Sequence, residues 1–124
     1  MNCSRISQTH YHFDGLLGDY LAGVTHQWLL VAPKANPAML EMFRDRDRLP
    51  RRNMMPWAGE FAGKYLTSAI QVLRLTHDDN LRASVQDFVT ELISLQAEDG
   101  YLGPWPMRSR LTGKAPNVMN QRGT

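Results

Sequence analysis

The residues of this sequence whose types and spacing suit chemistry are carboxylates set beside aromatic rings. In Gln96-Ala97-Glu98-Asp99-Gly100-Tyr101-Leu102-Gly103-Pro104-Trp105-Pro106, two acids precede a tyrosine and a tryptophan across small and rigid residues. Such a pattern can receive a sugar ring, whose C–H face packs on the aromatic plane while the carboxylates accept hydroxyl hydrogens. Asp99, Tyr101 and Trp105 are therefore candidate substrate-binding residues. Glu60 is a fourth, placed beside Trp57 and one helical turn before Lys64. Each has a plainer reading. Glu60 can serve the helix dipole and pair with Lys64 at i,i+4. Asp99-Gly100 suits a tight turn, and the two aromatics can pin a loop to the core. Glu98 and Asp99 stand against the dipole of a helix C-terminus, where cations are preferred. That placement favours a further use, such as holding a loop or sugar hydroxyls.

No catalytic set emerges from spacing alone. His10 and His12 lie two apart in a polar leader, His26 falls on the first helix, and His77 sits in a turn. A zinc site needs three or four ligands in a defined geometry, and no second cluster stands at ligand spacing. No nucleophile elbow supports a Ser/His/Asp arrangement. The one cysteine, Cys3, excludes an internal disulfide framework and a thiolate metal cluster within the chain. No catalytic and no metal residue is assigned.

The elements that must position the candidates are helices. Residues 1–14 are polar apart from His10-Tyr11-His12-Phe13. From Gly15, apolar Leu17, Tyr20, Leu21, Val24, Trp28 and Val31 recur at three- and four-residue steps, until Pro33 and Pro37 break the pattern. Asn36-Pro37 then suits the start of a short helix from Ala38 to about Arg46. The basic run Arg44 to Arg52 reads as a solvated helix end, because it lacks the interleaved aromatics that phosphate or nucleic-acid binding uses. Pro56 opens the strongest signal, in which Ala58, Phe61, Ala62, Tyr65, Leu66, Ala69, Ile70 and Leu73 form a wide stripe through about Leu75. Gly59, Gly63 and Thr67 follow along an adjacent strip, which predicts close approach by a helix or a ligand. Thr76 to Asn80 is a short polar connection with aspartates able to cap the next helix, Asn80 to about Ala97. A connection this short makes the two long helices antiparallel neighbours. No period-2 pattern appears, so the class is all-α. The organisation is a tail over 1–14, a helical body over 15–106 and a loop or tail over 107–124.

The chain has 124 residues and a formal net charge of +2, enough for one core and too little charge for nucleic-acid or acidic-membrane binding. No apolar run approaches the roughly 20 residues of a membrane span. Without a signal-peptide pattern, a cytoplasmic setting is the reading.

The stretches "PWAGEFAGKYLTSAIQVLRLT", "LISLQAEDGYLGPWP" and "NPAMLEMFRDRDRLP" resemble the N-terminal part of the β-L-arabinofuranosidase family of glycoside hydrolases. The resemblance spans about Phe13 to Leu111. It implies αα-hairpins forming part of an (α/α)6 barrel and an arabinofuranoside-type carbohydrate substrate. It also implies a zinc-held cysteine nucleophile and a glutamate acid/base, in family segments downstream of this chain. Only Glu60 and Asp99-Gly100-Tyr101-Leu102 correspond to family motifs, and Cys3 cannot be assigned the nucleophile role. The expectation is an N-terminal segment, inactive by itself, that contributes a sugar-pocket loop. A helix face is then left for the rest of the barrel or an oligomer. The alternatives are a non-catalytic helical module that binds a carbohydrate or protein partner, and a fragment of another α/α-barrel sugar enzyme such as an epimerase or unsaturated-uronide hydrolase.

Overall fold

Two antiparallel helices organise the molecule; of the predicted apolar stripe, Ala62, Tyr65 and Ala69 are buried, whereas Phe61 and Ile70 at its edges are exposed. A computed structural model describes residues 11–50 and 59–110. Helices α1 (Gly15–Gly23), α2 (Ala32–Ala35), α3 (Ala38–Arg44), α4 (Glu60–Thr76) and α5 (Asp79–Ser94) follow one another, with a π-helical segment, Val24–Leu29, continuing α1. No strand occurs among the described residues. Tyr65 and Ala69 of α4 meet Leu81, Val85, Phe88 and Leu92 of α5 in one core with Met39, Leu40 and Phe43 of α3. The rings of Tyr65 and Phe88 pack with centroids 4.8 Å apart. The Tyr65 hydroxyl donates to the buried Leu29 carbonyl at 3.2 Å, so the aromatic body is buried without orphaning its polar tip.

The hairpin turn is fixed at both helix ends. His77 takes a left-handed φ of 54° to close α4. Asp78 caps α5, its side chain accepting from the Leu81 N–H at 2.7 Å. An aspartate of the polar connection thus does the capping the sequence suggested.

The first helix departs from its apolar pattern. Leu17, Tyr20, Trp28 and Val31 are exposed, while Thr25 and Leu29 are buried. The π-helical segment takes more residues per turn than an α-helix, so it rotates the later residues about the helix axis. It brings Leu29 inward and leaves Trp28 outside. Thr25 is tolerated in the interior because its hydroxyl donates to the Leu21 carbonyl at 2.8 Å. Pro33 does not interrupt the chain there: it occupies the first turn of α2, where its missing N–H costs nothing. Pro37, and not Asn36, precedes the first residue of α3, which ends at Arg44. The expected helix start at Pro56 lies outside the described residues.

The arginine run divides: Arg44 and Arg48 are exposed as a solvated helix end would have them, Arg46 is mostly buried against the later loop, and Arg51 and Arg52 lie outside the described residues. Arg44 pairs with Glu91 at 2.5 Å, and Arg48 with Asp45 at 3.5 Å. Arg46 lies within 3.6 Å of Asp47 and reaches the Gly103 carbonyl at 3.4 Å. No described helix is long and apolar enough to cross a membrane.

Candidate functional site

In an antiparallel hairpin the start of the first helix and the end of the second lie at the same end. Gly59, the residue before Glu60, therefore comes beside Pro104 in the segment that contains Asp99, Tyr101 and Trp105, 45 residues further along the chain. Gly59 makes the junction. A Cβ on Gly59 would stand 3.1 Å from Pro104, and the residue takes a φ of +96° that favours glycine. Its N–H donates to the Met42 sulfur at 2.7 Å. The ends of α3 and α4 and the loop after α5 thus converge on Gly59. The small-residue strip divides here. Gly59 permits the predicted close approach, by a loop and not a helix, whereas Gly63 has nothing within 4 Å of its Cβ position.

Helix α5 ends at Ser94, not Ala97. Asp99 consequently sits beyond the last turn, where the dipole has faded. Its position is explained by loop contacts instead. Oδ1 accepts from the Tyr101 N–H at 3.1 Å, and Oδ2 pairs with the Arg110 guanidinium. The hydrogen bond from Tyr101 and the positive charge of Arg110 hold the Asp99 carboxyl below the ordinary carboxylate range. Gly100 takes a φ of +85°, and Gln96 Nε2 donates to its carbonyl at 2.6 Å. Arg110 also lies over the Tyr101 ring at 3.8 Å and reaches the Trp105 carbonyl with Nε at 3.4 Å. The Tyr101 hydroxyl accepts from the Trp105 N–H at 3.4 Å. The region expected as a tail after 106 therefore begins with a short 3-10 turn, Met107–Ser109, that returns Arg110 onto the loop.

These contacts divide the four candidates. Both Asp99 oxygens, one face of Tyr101 and its hydroxyl are engaged inside the loop. Glu60 is half-exposed and pairs with Lys64 at 2.9 Å, as the i,i+4 spacing suggested. Trp105 is half-buried. Arg110 was invisible to motif reading, because an arginine after two prolines carries no signal of the ring it will cover.

The pairing of Asp99 has a pH consequence. A carboxyl whose folded value is depressed contributes order that is present above its unfolded value and lost as pH falls through the folded one. The Asp99–Arg110 contact is expected to persist at neutral pH and to open only in acid, below the ordinary carboxylate value of 3.8. Carbon-detected NMR titration of the Asp99 carboxyl should show this, with Arg110→Gln moving the midpoint upward.

Among the described residues no three of His, Asp and Glu come together as a metal set, and Cys3 lies outside them. No set among the described residues fits the zinc that the resemblance implies.

An antiparallel helical hairpin whose end carries an acid- and aromatic-bearing loop, with no strand among the described residues, defines the class: an all-α protein. Residues 13–122 match the model of the β-L-arabinofuranosidase GH127 catalytic domain, and the chain belongs to that family. Membership implies a carbohydrate substrate. No curated protein and no solved structure matches the chain.

Proposed function

We propose that this chain forms part of the sugar-binding rim of a glycoside hydrolase acting on arabinofuranoside-type substrates. The observation that supports this is the meeting of the α4 N-terminus with the 99–110 loop across Gly59 and Pro104. In this reading Glu60 accepts from sugar hydroxyls and Trp105 offers an apolar face. Asp99 and Tyr101 serve the site by fixing the loop that carries Trp105. No described residue is given a catalytic role. The nucleophile, acid/base and zinc are assigned to parts of the domain other than these residues, so the chain by itself is expected to bind without turnover. Exposed Leu17, Tyr20 and Ile93 are read as surface for further barrel helices or a second copy.

Methyl β-L-arabinofuranoside titrated into the isotope-labelled chain tests the reading. Saturable shifts at residues 60 and 103–105 are expected. Glu60→Gln and Trp105→Ala should each weaken binding about tenfold, the scale of one charge-assisted contact or one lost aromatic face. Unchanged affinity in both variants, with the fold intact, would sink the proposal.

A further inference from the structure

Two mostly buried guanidiniums reach the rim loop. The side chains of Arg46 and Arg110 are each 12% exposed, whereas those of Arg44 and Arg48 are 52% and 65% exposed. Arginine is seldom buried unless its charge is met. Arg46 Nη1 donates to the Gly103 carbonyl at 3.4 Å, and Arg110 Nε donates to the Trp105 carbonyl at 3.4 Å. Those carbonyls belong to the residues on either side of Pro104, and Pro104 lies against Gly59. Gly103 is buried, and a buried carbonyl needs a donor. The two donors come from opposite directions along the chain, one just past α3 and one from beyond the loop. The α3 end also holds the facing side of the junction. Met42, four residues before Arg46, accepts from the Gly59 N–H, and the Phe43 ring lies 3.6 Å from the Gly59 Cβ position.

We propose that Arg46 is a positioning residue of the rim: with Arg110 it clamps the two carbonyls that flank Pro104, and so keeps Pro104 seated on Gly59. The inference rests on the rim reading, in which that contact sets Trp105 relative to Glu60. The cause is the buried charge. The other contact of Arg46 is Asp47, at 3.6 Å, and Asp47 is 69% exposed. A loop that swings away therefore takes the Gly103 acceptor from a guanidinium that water reaches poorly. Leaving a buried charged donor short of acceptors costs more than an ordinary hydrogen bond contributes. The excursion is penalised, and the loop stays down. Arg44 and Arg48 have no such hold, because they pair with Glu91 and Asp45 and are largely hydrated.

The test uses Arg46→Met, which keeps the buried stem and removes the donors, and Arg46→Lys, which restores a cation with N–H groups. NMR of the labelled full chain follows the Gly59–Pro104 nuclear Overhauser contacts, and titration with methyl β-L-arabinofuranoside follows binding. Arg46→Met is expected to weaken those contacts and to lower affinity about fivefold, the scale of one hydrogen bond. Arg46→Lys should recover most of both, while Arg44→Met and Arg48→Met should change neither. Arg110→Met should resemble Arg46→Met, and the double variant should bind little worse than either single one, because both guanidiniums seat the same residue. Should Arg46→Met not fold, Arg46→Gln reads the same contacts with a milder change. Gly59–Pro104 contacts and affinity that survive the loss of the Arg46 charge overturn the inference. Fully additive losses in the double variant also overturn it, since they would mean two independent contacts. If the unmodified chain shows no saturable shifts with the glycoside but its Gly59–Pro104 contacts depend on Arg46, the rim reading falls and the clamp stands.

Discussion

Phe88→Ala is expected to destabilise the chain by about 3–5 kcal/mol, the usual cost of truncating a buried phenylalanine. Phe88 is 4% exposed and its ring meets Tyr65 at 4.8 Å. Tyr65 cannot move freely into the void, because its hydroxyl is tied to the Leu29 carbonyl. The cavity should therefore persist instead of collapsing, which places the cost towards the upper end of that range. Domains of this size have roughly 5–15 kcal/mol of stability in total, so this one change can remove much of it. Urea unfolding followed by circular dichroism measures the loss. A change below about 1 kcal/mol would mean that the α4–α5 contact is not the centre of the core.

Gly103→Ala is expected to have the largest effect on the rim. The added Cβ would overlap the Tyr101 hydroxyl, closer than real Cβ contacts come. Either Tyr101 leaves its place beneath Arg110, or the backbone at Pro104 moves away from Gly59. Both displace Trp105, whose N–H bonds to that hydroxyl. Overpacking of this kind costs about 1–3 kcal/mol where the surroundings resist. The Gly103 carbonyl is also held by Arg46. Glycoside binding should fall at least about tenfold while the hairpin stays folded, because α4 and α5 bury a core that does not include the loop. The companion Tyr101→Phe keeps the ring under Arg110 and removes only the acceptor, so it should weaken binding less. Comparison of thermal melts with binding isotherms separates the two effects. A loop that tolerates alanine at 103 with unchanged binding would show that its shape does not govern the rim.

The hairpin was legible from the order of residues alone. The spacing of Tyr65, Ala69, Leu81, Val85, Phe88 and Leu92 is local, and burial of one helix face is written in that period. The Asp78 cap and the Glu60–Lys64 pair are equally local, spanning three and four residues. The motifs around Glu60 and Asp99 pointed to the family that residues 13–122 match. How the remaining pieces use their residues depended on the folded arrangement. A π-helical segment turned Leu29 inward and Trp28 outward, and apolar recurrence does not encode a change of helical register within the helix. Gly59 became a junction because Pro104 arrives there from the far end of the hairpin, and neither residue's local pattern announces the other. Arg110 likewise folds back from beyond the last helix to take the Asp99 carboxylate and the Tyr101 ring. These contacts join residues distant along the chain and depend on which ends the hairpin brings together. For that reason the four candidate residues could be named from sequence, but which of their side chains are engaged in holding the loop, Asp99 and Tyr101, could not.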